Sequence, residues 1–128
     1  MMTRPEIVTR EQLTDPAAEQ SAGMARGQAF AHDGVWCGYV VLPGGASTGW
    51  HHHGDYATYA HITDGEMTIE FGPGGAEAAV TRAGDTVYIP GHLVHRETVA
   101  DSGGAGFLVR TGGAGPTVHN VDGPDPAR

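Results

Sequence analysis

The amino-acid sequence predicts an all-β protein that folds as one antiparallel sandwich or barrel. Apolar runs of four to eight residues recur at short intervals, and Gly, Pro, Asp or Ser bounds each of them, as in antiparallel β-proteins. Helical periodicity is nearly absent. The 21 Gly and 8 Pro residues supply the turns that many short strands need, and 128 residues is the length of a single domain.

The predicted strands follow one another along the chain, separated by segments that break regular structure. A polar arm, 1–25, with a short helix expected around 11–20, precedes the barrel, 26–121, and a tail, 122–128, follows it. The breakers read PGG, DG, GPGG, AGD, PG, DSGG and GGAGP, and each is expected to reverse the chain. Asp64 and Gly65 are predicted to form a two-residue hairpin turn, because glycine takes positive φ without a Cβ penalty. The expected strands are 35–42, 48–53, 57–63, 66–71, 77–82, 86–89, 95–99, 107–110 and 117–121.

Composition narrows the possible partners to small molecules. Seven Arg and no Lys stand against 15 acidic residues, a net charge of -8, whereas nucleic acids and anionic membrane surfaces both require a basic face. Cys37 is the only cysteine, which excludes an intrachain disulfide and a cysteine metal cluster, so it is expected to be a small buried apolar residue. The N-terminal segment lacks the apolar core of a signal peptide, and no apolar run approaches the ~18 residues of a membrane span. A cytoplasmic location is expected.

The histidine distribution predicts a metal site. Three consecutive histidines stand in the stretch GWHHHGDYATYAHITDG, and His61 follows eight residues after the last of them. On a strand, His51 and His53 share one face with Cα atoms about 6.6 Å apart, while His52 points to the other face. A transition metal needs a third protein ligand from another strand, and His95 is the obvious donor. His61 is out of phase with the inward positions and is expected to face away.

Two spaced motifs support this prediction. The first is Gly45, five residues, His51, one residue, His53, four residues, Thr58, six residues and Gly65. The second is Gly84, five residues, Pro90, one residue, His92, two residues, His95, three residues and Val99. In these spacings the sequence resembles the cupin family, small barrels of two antiparallel sheets whose two motifs supply metal ligands. The resemblance implies a single-domain double-stranded β-helix, also called a jelly-roll barrel, with one divalent transition metal.

The motifs depart from the family pattern at three positions. Thr58 stands where cupins usually carry a glutamate ligand, His92 replaces a glycine, and Val99 replaces an asparagine. With the glutamate lost, three neutral imidazoles leave three positions of an octahedral ion open. The resemblance then implies the class of three-histidine dioxygenases, with Fe(II) favoured, although Zn, Ni, Mn and Cu also suit these ligands.

Four further residues are candidates for chemistry or substrate binding. By strand alternation Glu97 shares a face with His95, so it is expected to act as a base beside the metal, the alternatives being a fourth ligand or a bulge that turns it to solvent. Arg110 is either a partner of Glu97, a site for an anionic substrate group or an exposed residue at the barrel rim. His92 either relays protons at the barrel mouth or is an ordinary exposed turn residue. Thr58 is expected to contact substrate.

Three classes of function agree with these features. The first is a metal-dependent dioxygenase acting on a small organic molecule. The second is a non-redox isomerase, cyclase or lyase that uses a Lewis-acidic ion, and the third is a non-catalytic ligand-binding barrel. A homodimer is also expected, because an open β-sandwich exposes an edge strand and a flat face that a second copy can cover. The aromatics expected in the core or at the dimer contact are Trp36, Tyr39, Trp50, Tyr59 and Tyr88.

Overall fold

The computed structural model describes residues 4–14 and 25–125. Within these ranges the chain forms eight strands and two short 3-10 turns, Arg10–Gln12 and Pro73–Gly75. No helix among these residues is long and apolar enough to span a membrane. The strands are β1 (Ala25–His32), β2 (Val35–Leu42), β3 (His51–His52), β4 (Ala57–Phe71), β5 (Glu77–Arg82), β6 (Thr86–Ile89), β7 (Arg96–Thr111) and β8 (His119–Asn120).

The strands form a large sheet and a small one. The large sheet has the order β1-β2-β7-β4-β5, with β6 also paired to β4, and the small sheet consists of β3 and β8. All of these pairings are antiparallel. Two isolated bridges connect the two sheets. Ser47, before β3, pairs with Thr98 of β7, and His51 of β3 pairs with His95, just before β7. The predicted all-β, single-domain architecture is confirmed.

Burial alternates along β2 and along the second half of β7, so one face of each strand packs into the core between the sheets. One cluster contains Trp36, Val40, Ala60 and Leu108. The other contains Leu42, Ile62, Met67 and Val99. Both clusters lie on the face of the large sheet that also carries the inward-pointing polar residues described below, because side chains two residues apart on a strand share a face.

The first hairpin of the protein uses a different Asp-Gly pair from the predicted one. Asp33 and Gly34 connect β1 to β2 with φ values of 54° and 73°, and His32 pairs with Val35 across the turn. Two successive positive φ values are those of a type I′ turn, which matches the right-handed twist of the strands. Strand β1 was not among the expected strands, since its sequence ARGQAFAH lacks a clear period of two.

The predicted hairpin at Asp64 and Gly65 is wrong. β4 runs through both residues without reversing, and its pairing with β7 shifts there from Gly65↔Gly104 to Met67↔Val99. Between these two pairs the chain advances by five residues along β7 but by only two along β4. The Asp-Gly pair and the DSGG segment therefore form a bulge that bends both long strands. The strands expected at 95–99 and 107–110 are consequently one strand.

Two expected strands are shorter in the structure than the sequence predicted, and the structure describes the expected N-terminal helix only in part. The strands expected at 48–53 and 117–121 are reduced to the short pair β3 and β8. Of the helix expected around 11–20, the structure shows only the 3-10 turn Arg10–Gln12, and 15–20 lie outside the described residues.

Replacing Gly65 with alanine is expected to destabilise the protein by more than about 2 kcal/mol, because positive φ alone costs an L-residue about 1–2 kcal/mol. Gly65 has a φ of 72°, and a Cβ there would lie 2.1 Å from the carbonyl oxygen of Gly103. Gly115→Ala is the control, since Gly115 has a φ of 74° but nothing within 4 Å of a Cβ. Denaturant unfolding measures both variants, and equal losses would contradict the close backbone approach.

Candidate metal centre

The fold brings His51, His53 and His95 together. His51 and His95 exchange two backbone hydrogen bonds, with N···O distances of 3.0 and 2.9 Å, which sets β3 directly against the start of β7. One ring nitrogen from each of the three histidines lies within 4.8 Å of the other two. The residues are 1%, 2% and 0% exposed respectively. As strand alternation predicted, His51 and His53 share a face, and the partner from the second motif completes a buried cluster that can bind a metal ion.

Backbone carbonyls fix the orientation of all three rings. The Nδ1 atoms of His51, His53 and His95 each lie 2.8 Å from a carbonyl oxygen, of Gly49, Thr117 and Leu93 respectively. A carbonyl can only accept, so in the neutral ring each Nδ1 carries the proton and each Nε2 presents a lone pair. The Nε2 of His95 is buried with no hydrogen-bond partner among the described residues. This arrangement fits a transition-metal ion, whose histidine ligands are oriented by a hydrogen bond from the second nitrogen.

Glu97 points into this cluster. Its carboxylate oxygens lie 3.2 Å from Nε2 of His95 and 3.5 Å from Nε2 of His51, and the residue is 6% exposed. The Thr48 hydroxyl donates to Glu97 Oε2 at 3.1 Å and accepts from the Glu97 backbone N–H at 2.9 Å. The bulge that would have turned Glu97 to solvent is therefore absent at this position, and the carboxylate faces nitrogen lone pairs that only a proton or a metal cation can share.

The electrostatics of the cluster follow from burial and from one carboxylate. Burial lowers the pKa of His51, and burial with the nearby Arg110 charge holds the pKa of His53 well below its ordinary value. Burial also lowers the pKa of His95, but the Glu97 charge outweighs it and raises that pKa above the ordinary value. Burial alone would raise the pKa of Glu97, yet the adjacent histidines, His95 first, lower it. Glu97 is an anion at neutral pH.

A cavity adjoins the cluster, and its polar lining residues are His53, Glu97, Thr58 and Arg110. Arg110 is 2% exposed, so the expectation of an exposed residue at the barrel rim is wrong. The remaining lining is aliphatic, apart from one glycine: Val40, Ala60, Ile62, Met67, Ile69, Val87, Ile89, Gly106 and Leu108.

The structure places His92 away from the buried cluster. It lies on an exposed turn, and its Nε2 is 2.6 Å from Asp55 Oδ1. Its φ of 62° explains why the cupin motif has a glycine there. His52 stacks on His119 with ring centroids 4.9 Å apart, on the opposite side of β3 from the cluster. His61 is exposed and faces away, as expected.

Two residues of the site were missed by the sequence analysis. Thr48 holds the Glu97 carboxylate, and the Trp36 ring lies 5.0 Å from the Arg110 guanidinium carbon. Trp36 is held in turn by a hydrogen bond from its Nε1 to Gln28 Oε1 at 2.8 Å. No local pattern marks either residue, because each reaches its partner across strand pairings between distant parts of the chain.

Fold and site together define a small β-barrel with a buried three-histidine cluster at the edge of an apolar cavity. The sequence model of the cupin domain matches residues 38–109, more than half of the chain. The chain belongs to the cupin family. No curated protein matches the sequence.

Solved structures with the same fold include enzymes. The polyketide cyclase RemF from Streptomyces resistomycificus is 19% identical, with 94% of this chain and 86% of that one covered and a TM-score of 0.70. KdgF from Halomonas sp. is 15% identical, with coverage of 87% and 96% and a TM-score of 0.66. The DMSP lyase DddQ from Ruegeria pomeroyi is 19% identical, with coverage of 85% and 59% and a TM-score of 0.68. At these identities the likeness shows the shared fold.

Proposed function

We propose that this protein is a mononuclear metal-dependent enzyme that acts on a small organic molecule in the barrel cavity. His51, His53 and His95 bind one divalent transition metal per chain. The observation that carries the proposal is the ring orientation: three carbonyl-bound Nδ1 atoms leave three Nε2 lone pairs facing one another in a buried site.

The distances from Glu97 support a role as a fourth ligand. Neighbouring ligands of an octahedral ion with bonds of about 2.1 Å lie about 3 Å apart, close to the 3.2 and 3.5 Å that separate Glu97 from two Nε2 atoms. The sequence favoured a base that does not touch the ion, and that role remains the alternative. Thr48 fixes the carboxylate in either case, because it bonds both the side chain and the backbone of Glu97.

The first candidate reaction is dioxygenation with Fe(II). A redox-active ion supplies the electron transfer that activation of dioxygen requires. His51, His53, His95 and Glu97 would hold the ion, and the ion would supply the redox chemistry that dioxygenation needs. The aliphatic part of the cavity lining suits an apolar gas such as dioxygen. Within residues 4–14 and 25–125, no Cys or Lys side chain lines the cavity for covalent catalysis.

A non-redox isomerase, cyclase or lyase is the second candidate, and the position of Arg110 favours it. A buried guanidinium in the cavity can stabilise the oxyanion of an enolate as it develops. Of the residues that the structure describes, Glu97 is the only carboxylate that lines the cavity, so in this version it moves the proton. Zinc, nickel or manganese would then polarise the substrate carbonyl. The polyketide cyclase and the DMSP lyase that share the fold are compatible with this chemistry.

Metal analysis followed by oxygen uptake distinguishes these candidates. Protein purified without a tag is assayed for bound metal, then loaded anaerobically with Fe(II) or Zn(II) and offered small thiols, β-diketones and 2-oxo acids. The dioxygenase proposal predicts uptake of one O₂ per substrate with Fe(II) only. Turnover with Zn(II) in the absence of O₂ would instead establish the second candidate. Ligand binding without turnover under any condition would refute both and leave a binding protein.

A homodimer is expected in solution, with the outer face of the large sheet as the contact. Tyr39, Val41, Tyr59 and Tyr88 expose 36–57% of their surface there, and apolar patches of this kind mark association sites. Thr14 of the same chain already pairs with Gln28 of β1. The expected dimer contact is therefore the exposed face of the sheet and not the β1 edge.

Light scattering at micromolar concentration should give twice the chain mass. Tyr59→Glu should shift the protein toward monomer, whereas Val121→Glu, at another exposed apolar residue, should not. A monomeric wild-type protein would contradict the expectation.

A further inference from the structure

Two buried polar side chains in the cavity have unused hydrogen-bonding groups. The Thr58 hydroxyl and the Nε and Nη1 atoms of Arg110 are buried, and they have no hydrogen-bond partner within residues 4–14 and 25–125. Thr58 on β4 is paired directly with Arg110 on β7, so their side chains stand next to each other on the inner face of the sheet. Both line the cavity. Buried donors without partners are costly, and their presence at one spot points to a ligand.

The Arg110 guanidinium is held in place before any ligand arrives. The guanidinium carbon lies over the Trp36 ring, 5.0 Å from its centroid, and Trp36 is paired with Arg110 across β2 and β7. Gln28 fixes that ring through the indole nitrogen. The ring attracts the cation through its face, and the Nε and Nη1 groups of Arg110 keep no hydrogen-bond partner among the described residues. An ordered fork of donors binds a planar acceptor without a large loss of side-chain entropy.

Charge identifies the kind of acceptor. Burial lowers the pKa of Arg110 to about 9, with Arg26 adding to the shift and Glu97 opposing it, so Arg110 remains a cation at neutral pH. Glu97 does not neutralise it through a direct ion pair, since the carboxylate is engaged by Thr48 and lies against His51 and His95. Among the described residues, Arg110 is the only arginine that lines this cavity; its one positive charge fits a single negative charge, and a doubly charged phosphate would leave an excess charge in an apolar cavity.

We propose that the cavity binds a small organic acid whose carboxylate accepts hydrogen bonds from the Arg110 guanidinium and the Thr58 hydroxyl. The apolar part of the molecule contacts the aliphatic lining of the cavity, which His53 and Glu97 also line. The inference rests on the proposed function for the reaction that the acid undergoes. The binding itself depends only on Arg110, Thr58 and the cavity.

The test measures binding of 3-methylbutanoate and its uncharged amide by isothermal titration and by NMR shifts. Both the Zn(II)-loaded and the metal-free protein are titrated. The acid should bind both forms, and the amide at least about tenfold more weakly, because a charge-assisted bond to the guanidinium is lost. Arg110→Met should weaken acid binding by about tenfold to a hundredfold. Thr58→Val, which keeps the side-chain shape, should weaken it by about threefold to tenfold.

Both variants should keep the same zinc content as the wild-type protein, which separates loss of the acid site from loss of the metal site. If Arg110→Met does not fold, Thr58→Val and the acid–amide comparison still decide the question. Equal binding of acid and amide, or acid binding unchanged in both variants, would overturn the inference. A wild-type protein that binds acid but no metal would refute the proposed function and leave this inference standing.

Discussion

The His53→Ala variant is expected to lose bound metal and activity, whereas His52→Ala keeps both. His53 is buried, and its Nδ1 is held by the Thr117 carbonyl so that Nε2 faces the other two histidines. His52 is adjacent in sequence but lies on the other face of the strand, where its Nδ1 accepts a hydrogen bond from the Gly54 N–H. The two residues have the same side chain and adjacent positions, and they differ in the direction of that side chain and in its burial.

The expected loss of metal affinity in His53→Ala exceeds about a hundredfold, since removing even a partner of a metal ligand costs about 10–100-fold. Elemental analysis gives the bound metal, a competing chelator gives the affinity, and circular dichroism confirms folding of each variant. Full metal content in His53→Ala, or an equal loss in His52→Ala, would refute the ligand assignment.

The Glu97→Gln variant is expected to bind metal at least about tenfold more weakly, because a neutral amide is a poorer donor to a divalent ion than a carboxylate. The side-chain shape is kept, so the Thr48 contact and the packing of β7 should survive. The matched control is Glu70→Gln, whose carboxylate pairs with Arg96 instead. That variant should retain its metal.

Other outcomes for Glu97→Gln assign different roles. Unchanged metal content with turnover reduced about 10²–10⁴-fold would identify Glu97 as a proton-transferring base that does not bind the ion. Unchanged metal content together with unchanged turnover would exclude both roles. Metal content and turnover are therefore measured on the same preparation.

The three histidines could be predicted from the sequence because the relevant constraint is local. Strand alternation puts His51 and His53 on one face, and the motif spacing supplies His95 from a second strand. Turn prediction failed because the constraint that decides it is not local. Asp33-Gly34 and Asp64-Gly65 have the same local chemistry, but one closes a hairpin while the other lies in a bulge opposite Gly104. Only the long-range pairing of β4 with β7 distinguishes them.

The surroundings of the metal ligands could not be predicted from the sequence. Thr48 and Glu97 are 49 residues apart in sequence, yet their side chains are hydrogen-bonded in the structure. The contact of the Arg110 guanidinium with the Trp36 ring likewise depends on the pairing of β2 with β7. Side-chain direction at Glu97 and Arg110 is decided by packing between sheets, which periodicity does not encode, so the sequence left both inward and outward orientations open.

Anomalous X-ray scattering from crystals of the untagged, metal-loaded protein tests the central claim most directly. Data collected on either side of the absorption edge of the bound metal should show one strong peak per chain. We expect the peak about 2.0–2.2 Å from the Nε2 atoms of His51, His53 and His95. A peak on the stacked rings of His52 and His119, or no peak between the three buried histidines, would contradict the account.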